Sequence, residues 1–263
     1  MKPALMTRRL AILAGFGGAG YLITNANRLT LSPGFAHVFR AVEDWTMMTQ
    51  RALLYPERMA REFKPSDISP VFKANGTLNP NTPQYNAHAA QNFVNWKLTI
   101  GGMVNTPMTL SLTDIMHLPR RTQITKHDCV EGWTAIGMWT GVPLGLLLKA
   151  AGPRPGARYV VLHCADNLTG EPGKGGAQSP GQYYESIDFR DAFHPQTLIA
   201  YALNGKPLDV AHGAPLRLRV ERQLGYKQAK YVERIELVES FADIAGGKGG
   251  YWEDRGYEWY AGI

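Results

Sequence analysis

The stretch most informative about the fold is Lys126-His127-Asp128-Cys129-Val130-Glu131-Gly132-Trp133. This stretch contains one of only two cysteines in the chain, and a run of β-forming residues that begins at Thr122 ends there. The pattern predicts a thiol at the end of a strand, where a loop opens and a ligand can enter. On residue type alone, the commoner outcome is that such a cysteine is a small buried hydrophobic residue.

Length and composition favour a soluble globular body. With 263 residues, of which 44% are hydrophobic, the chain can bury one sizeable core or two small ones. No stretch approaches the roughly 20 apolar residues that span a bilayer. The net charge is +6, but residues 1–30 contribute +4 of it, so nucleic acid is not an expected partner.

Residues 1–30 have the layout of an export signal. Arg8 and Arg9 directly precede a glycine-containing apolar run that lasts to about Ile23. The arginine pair favours the twin-arginine route, which carries folded proteins, over an ordinary secretory signal or a short amphipathic helix. We therefore expect a periplasmic protein whose signal is either cleaved or retained as a tether.

The remainder divides into a helical and loop extension, residues 31–92, and a body, residues 93–263. The body alternates short strand patterns with short helix patterns, which predicts a single α+β domain with mixed β-sheets. The patterns predict a helix from Pro143 to Ala151, a second helix from Asp191 to Leu203, and a mobile loop over residues 166–183. The aromatic, glycine-rich tail from Gly246 to Ile263 is expected to pack back onto the domain, with an aromatic substrate surface as the less favoured alternative.

Four interpretations of Cys129 follow from residue chemistry. A zinc site would use His127, Cys129, His163 and Cys164, but adjacent residues of one strand point to opposite faces. A nucleophilic thiolate with a histidine base lacks a recognisable local signature. A Cys129–Cys164 disulfide suits an exported chain. The fourth interpretation is a redox metal held by one thiolate, with an organic cofactor supplying the other ligands.

An anionic cofactor requires cations, and the segment 217–234 has a local net charge of +4. Arginine and lysine are the usual partners of phosphate groups, although a solvated basic surface is the commoner use of such a segment. The basic residues of this segment are Arg217, Arg219, Arg222, Lys227, Lys230 and Arg234.

Longer segments resemble one family. From about Trp96 to Glu239 the chain is similar to the molybdopterin-binding domain of the sulfite oxidase superfamily, nearest to its protein-methionine-sulfoxide reductase branch. The resemblance rests on segments that follow in the family's order. They are Cys129-Val130-Glu131-Gly132-Trp133, Arg158-Tyr159-Val160, Asp191 to Leu198, Tyr201 to Leu208, Gly213 to Arg217, and Leu224 to Lys230.

The resemblance implies Mo-molybdopterin as cofactor and Cys129 as the molybdenum ligand, with Glu131 beside it as a catalytic group. The positions that match the family's cofactor-binding residues are Asn86, Cys164, His212, Arg217, Gln228, Ala229 and Lys230.

Departures from the family pattern affect several of these positions. The reductase branch usually has Thr at Cys164 and Asn at His212, and Ala89-Ala90 replaces a Tyr-Glu pair expected after Asn86. The arginines that hold sulfite in sulfite oxidases are absent after Cys129, where Glu131-Gly132-Trp133 follows. Sulfite is therefore disfavoured as substrate.

The resemblance implies a monomeric catalytic subunit that moves an oxygen atom with two electrons, with sulfoxide reduction as the expected activity on a small or protein-bound substrate. Because no haem-binding CxxCH is present, electrons would come from a separate electron-transfer partner, for which the resemblance suggests a membrane haem subunit. The alternatives are a sulfite oxidase-like dehydrogenase and a non-catalytic exported protein with a Cys129–Cys164 disulfide.

Overall fold

A computed structural model of the chain describes residues 33–53, 58–168 and 181–263, with the side chains of residues 33–40 left undescribed. The export signal expected in residues 1–30, and residues 169–180 of the expected loop, lie outside the described residues. The chain forms two compact units, Met1–Leu54 and Tyr55–Ile263. In the first, helix α1 spans Pro33–Leu53. None of the helices described is both long and apolar enough to cross a bilayer.

The described residues of the second unit form four short helices, ten strands and three 3-10 turns. The helices are α2 (Pro83–Ala90), α3 (Leu112–His117), α4 (Leu144–Ala151) and α5 (Phe189–Ala192). The strands are β1 (Lys97–Gly102), β2 (Met108–Ser111), β3 (Arg121–Cys129), β4 (Trp133–Pro143), β5 (Tyr159–Asn167), β6 (Gln182–Asp188), β7 (Leu198–Leu203), β8 (Lys206–Pro207), β9 (Arg217–Arg219) and β10 (Val232–Val238). The 3-10 turns are Pro65–Asp67, Gly225–Lys227 and Glu253–Arg255.

The strands form two sheets. The first has the order β2-β1-β10-β5-β6, in which β1 and β10 are parallel and the other neighbours antiparallel. The second has the order β3-β4-β7-β8, with β9 also paired to β7, and is antiparallel. The expected α+β fold with mixed sheets and short helices is confirmed.

One hydrophobic core takes side chains from both sheets and from α4. In β1 the alternation expected from the sequence holds, because Leu98 and Ile100 are buried while Lys97 is exposed. Helix α4 buries Leu144, Leu147 and Leu148 on one face and ends at Gly152, whose φ of 66° is the left-handed conformation that glycine adopts without strain. The helix predicted from Pro143 to Ala151 is therefore confirmed, with Pro143 as its N-cap.

Residues 126–133, which contain Cys129, form the tip of a β-hairpin. Strands β3 and β4 pair from Arg121↔Gly141 to Cys129↔Trp133, so Cys129 is the last residue of β3. The connection is only Val130, Glu131 and Gly132, and Gly132 has a φ of 85°. Alternate residues of β3, ending with Cys129, are buried, which directs the thiol toward the interior.

The helix predicted from Asp191 to Leu203 is wrong. Helix α5 ends at Ala192, and Leu198–Leu203 is strand β7. Pro195 interrupts the helical pattern, and the apolar residues after it gain more by pairing with β4, β8 and β9 in the second sheet than from local helical propensity.

Segments at both ends of the second unit pack into it. Phe72, from the loop before α2, is buried against Trp139 with ring centroids 5.1 Å apart. In the tail, the Tyr251 amide donates a 3.0 Å hydrogen bond to the Tyr184 carbonyl, and the Tyr251 side chain is buried. The expected packing of the tail onto the domain is confirmed.

Candidate active site

Cys129 lies at a cavity of about 200 Å³. The cavity is formed by the β3–β4 turn, the end of β5, the start of β6, the segment 225–230, the loop 75–77 and the tail. Its lining residues are Asn75, Gly76, Thr77, Cys129, Val130, Glu131, Asp166, Leu168, Tyr183, Gly225, Tyr226, Gln228, Lys230, Trp252 and Tyr257.

The Cys129 thiol is mostly buried, with 9% of the residue exposed. Burial raises its pKa, the backbone N–H of Glu131 opposes that effect, and the Glu131 carboxylate adds to it. A free thiolate nucleophile needs the opposite environment, one that lowers the pKa. Metal coordination deprotonates a thiol outright, so this environment fits a metal ligand better than an unaided nucleophile.

Glu131 lies at the rim of the cavity, where its carboxylate is exposed. Its Oε2 accepts a 3.0 Å hydrogen bond from Trp133 Nε1, and Lys73 Nζ lies 3.8 Å from the same oxygen. These contacts orient the carboxylate beside Cys129 and leave it open to solvent. The structure thus places Glu131 where a group acting on an entering substrate would lie, and its catalytic role stays a prediction.

Five of the predicted cofactor-binding residues form one connected cluster. Arg217 donates to the carbonyls of His212, at 2.9 Å, and Gln228, at 3.3 Å. Lys230 Nζ donates to the Ala211 carbonyl at 2.9 Å and also to that of Thr77. The Ala229 carbonyl accepts from the amide of Leu218 in β9 at 2.8 Å. Gln228 and Lys230 line the cavity, while His212, Arg217 and Ala229 lie behind them.

Gly213 allows the backbone to pack closely against the side chains of this cluster. A Cβ at this position would lie 3.0 Å from the Lys230 side chain and 3.3 Å from that of Arg217. Its φ of 104° also excludes most other residues. The backbone after His212 therefore packs directly against both cations.

Most of the basic segment does not present free charge, contrary to what its net charge of +4 suggested. Arg219 is bidentate to Glu221, and Lys227 pairs with Glu185 and Glu253. Arg222 pairs with Asp191, and Arg234 with Glu236. Within the described ranges, Arg217 and Lys230 are the members of the segment that lack a carboxylate at salt-bridge distance.

Asp166 and Lys230 give the cavity a polar wall. Burial raises the pKa of Asp166 to about 6, against the effects of a Thr77 hydrogen bond and of the Lys230 charge. Burial lowers the pKa of Lys230 to about 7, and the nearby Arg217 charge lowers it further. Both groups are thus poised to change charge when an anionic group enters the cavity.

Asn86 and Cys164 do not line the cavity. Asn86 is exposed on α2, where its side-chain amide donates to Asn81 Oδ1 at 3.2 Å. Cys164 is fully buried in the core within β5. Their roles in cofactor binding stay predictions that no contact in the structure supports.

The residues missed from the sequence are the loop 75–77 and the aromatic wall. Asn75, Gly76 and Thr77 line the cavity, and the Thr77 carbonyl accepts from Lys230 and from Tyr231. An Asn-Gly turn in a long proline-rich loop was the available signal. The aromatic wall includes Trp252 and Tyr257 from the tail, for which the sequence favoured packing over an aromatic substrate surface.

The zinc and disulfide interpretations find no geometric support. Both cysteines are free. In the part of the chain that the structure describes, no three histidine, cysteine, aspartate or glutamate side chains come together as metal ligands. A single cysteine that serves a cofactor-borne metal needs no such cluster.

Comparison with known proteins agrees with this site. Residues 84–243 match the oxidoreductase molybdopterin-binding domain family. The chain belongs to this family. It is 34% identical over 206 residues to a protein of Azospira oryzae provisionally named protein-methionine-sulfoxide reductase subunit YedZ1, covering 76% of this chain and 70% of that protein. The chain is thus a molybdopterin-dependent oxidoreductase of the sulfite oxidase superfamily.

Other relatives match over a shorter length. The protein-methionine-sulfoxide reductase catalytic subunit MsrP of Xanthomonas axonopodis pv. citri is 36% identical over 151 residues, which is 57% of this chain and 47% of that protein. The chain thus spans about half the length of that relative. Sulfane dehydrogenase SoxCD from Paracoccus pantotrophus is a structural neighbour, with a TM-score of 0.48, 22% identity, and coverage of 56% of this chain and 39% of that one.

The residues around the cavity fit Mo-molybdopterin, the cofactor of this family. Among the described residues, Arg217 Nε and Gln228 Oε1 are buried without a hydrogen-bond partner, which buried polar groups normally have and which a bound cofactor would supply. Cys129 would hold the metal, while Lys230 and Arg217 would meet the anionic group of the pterin. When bound, the cofactor supplies a metal that exchanges two electrons with the substrate.

Proposed function

We propose that this chain is a periplasmic molybdenum enzyme subunit that reduces sulfoxides, methionine sulfoxide among them. Reduction removes the sulfoxide oxygen with two electrons and two protons and leaves a thioether and water. Relatives named for methionine-sulfoxide reduction support the reaction class. The chemistry of the cavity supports a neutral substrate, and this is the observation on which the proposal depends.

The cavity wall is aromatic and has little positive charge. Tyr183, Tyr226, Trp252 and Tyr257 supply large rings, while Lys230 is the one cation among the described residues of the lining. Glu131 and Asp166 add carboxyl groups to the same wall. At the rim of the cavity, sulfite would meet repulsion from the Glu131 carboxylate, whereas a thioether or sulfoxide gains from sulfur–aromatic contact.

Electrons are proposed to come from a separate redox protein. Relatives named as subunits support this division, and a membrane haem subunit is the partner that we propose. Export is proposed from the Arg8-Arg9 pair before the apolar run. Transport of the folded protein would suit an enzyme that acquires its cofactor before it leaves the cytoplasm.

The test is turnover by the molybdenum-loaded protein in both directions. We expect free methionine sulfoxide and an oxidised peptide to be reduced with an artificial electron donor, and sulfite not to be oxidised with an artificial acceptor. Cys129→Ser serves as the inactive control. Oxidation of sulfite without reduction of any sulfoxide would show instead a sulfite oxidase-like dehydrogenase.

A further inference from the structure

A buried charged triad lies behind the aromatic wall of the cavity. Lys227 Nζ lies 2.7 Å from Glu185 Oε2 and also contacts Glu253 Oε1. All three residues are buried, with Lys227 and Glu185 at 0% exposure and Glu253 at 1%. They come from three separate parts of the chain: β6, the 3-10 turn Gly225–Lys227, and the 3-10 turn of the tail.

The two carboxylates also face one another. In the part of the chain that the structure describes, Glu253 Oε2 is buried without a hydrogen-bond donor, and the buried Glu185 Oε2 meets only the Lys227 ammonium. A Cβ on Gly250 would collide with Glu253 Oε2 and lie 2.8 Å from Glu185 Oε2, so both oxygens border the same small space. Only a glycine leaves that space free for them.

Charge balance requires a proton in this space. Two carboxylates and one ammonium leave a net charge of −1, and burying an uncompensated charge costs several kcal/mol. Burial and the Glu253 charge raise the pKa of Glu185 well above its usual range, although Lys227 opposes them. Lys227 keeps its proton, because the two carboxylates outweigh the effect of burial and raise its pKa. Like carboxylates at such proximity commonly share one proton.

Tyr183 connects this pair to the cavity. Its side chain lines the cavity, and its hydroxyl lies 3.4 Å from Glu185 Oε1. The same hydroxyl donates to the Tyr226 carbonyl at 2.5 Å, which fixes its position. A proton on Glu185 is therefore one hydrogen-bonded step from the wall of the cavity.

We propose that Glu185 and Glu253 share one proton, and that the pair delivers it through Tyr183 to substrate oxygen in the Cys129 cavity. For this step the Tyr183 hydroxyl turns its proton from the Tyr226 carbonyl to the cavity, passes it to the substrate oxygen and takes another from Glu185. The delivery step rests on the proposed sulfoxide reduction, in which the S–O bond breaks and the oxygen leaves as water. The separate electron donor supplies the two electrons, and solvent supplies the second proton and later reprotonates the pair.

Other titratable groups face the pair from every packed element. They are Lys227 and Tyr226 from the segment 225–230, Tyr183 and Tyr184 from β6, Cys164 and Asp166 from β5, and Asp254 from the tail.

The first experiment detects the proton without any turnover. Infrared spectra are recorded in H₂O and D₂O at pH 9, where carboxyl groups with a pKa near 6 or 7, such as Asp166 and Glu233, are ionised. The spectra should show one carboxyl group that is still protonated. We expect this band to disappear in both Glu185→Gln and Glu253→Gln, since either leaves one carboxylate paired with Lys227. Glu239→Gln, which changes an exposed carboxylate, should retain it. Absence of the band from the unmodified protein, or its persistence in both pair variants, overturns the proposal.

The second experiment measures delivery in the molybdenum-loaded enzyme. We expect kcat for methionine sulfoxide to fall at least tenfold in Glu185→Gln and in Tyr183→Phe, with KM within about twofold and molybdenum content unchanged. The decline of kcat at high pH, as the pair loses its proton, should be absent from Glu185→Gln. A kcat within twofold of the unmodified enzyme in both variants, with the same pH profile, overturns the delivery step.

Failure of the proposed function has a different signature. An unmodified enzyme that reduces no sulfoxide contradicts the proposed function and the delivery step together. The infrared band would still support or overturn the shared proton by itself.

Discussion

Arg219→Met should destabilise the fold more than any exposed charge substitution. Arg219 and Glu221 are both fully buried and form two hydrogen bonds, of 3.0 Å from Nε and of 2.6 Å from Nη2. The guanidinium also lies 4.3 Å from the Trp139 ring centroid and donates to His127 Nδ1 at 2.9 Å. Its removal leaves Glu221 buried with Gln123 Nε2, at 2.8 Å, as a neutral partner.

The magnitude follows from the uncompensated charge. Breaking a buried ion pair by removing one partner costs about 3–5 kcal/mol, a large fraction of the roughly 5–15 kcal/mol by which domains are stable. With a urea slope of about 2–3 kcal/mol/M, the unfolding midpoint should fall by about 1–2.5 M. Replacing both partners removes the orphaned charge, so Arg219→Met with Glu221→Met should recover most of the loss.

Urea unfolding followed by tryptophan fluorescence and circular dichroism measures these effects at equal cofactor content. Lys126→Met is the matched control, because its pair with Asp128 is at a similar distance, 2.9 Å, but its side chain is 48% exposed. That control should change the unfolding free energy by no more than about 1 kcal/mol. Equal losses in Arg219→Met and Lys126→Met, or no recovery in the double variant, would refute the reasoning.

Three further predictions concern the cavity. Cys129→Ser should abolish turnover and lower the molybdenum content while circular dichroism shows an unchanged fold, and a fully active variant would contradict the ligand assignment. Lys230→Met should lose pterin on gel filtration at least tenfold faster than the control Lys149→Met, which changes an exposed lysine on α4, because an anion in the cavity loses its cation. Burial raises the pKa of Asp166 from 3.8 to about 6, so between these pH values the folded protein keeps a proton that the unfolded chain has lost. The unfolding free energy therefore falls as pH rises through this interval. Asp166→Asn should remove that fall and raise Tm at pH 7 but not at pH 4, whereas an equal change of Tm at both pH values would refute it.

The fold class was predictable because its signals are local. The alternation in β1, the caps of α3 and α4, and the glycine after Cys129 all have short-range causes. Strand β7 was missed because its residues favour a helix locally, and only pairing across the second sheet makes them a strand. Local sequence contains no information on that pairing.

The site was predictable where the residues are close in sequence. Gln228, Ala229 and Lys230 are consecutive, and β9 brings Arg217 to them. Asn75 and Thr77 approach Lys230 across about 150 residues of chain, and no pattern in the sequence specifies that approach. Asn86 was preferred for its place in the family pattern, and the structure places it on the exposed side of α2.

Pairing inside the basic segment explains how one stretch of chain serves both the fold and a ligand. Arg219 and Lys227 are each fixed by buried carboxylates, so the backbone between them is anchored at both ends. Arg217 and Lys230 flank this anchored region and donate only to carbonyls in the contacts described. Carbonyls hold the two cations in position without neutralising them, which is what a site for an anionic cofactor requires. Adding a carboxylate beside either cation should therefore weaken cofactor binding even where it leaves the fold intact.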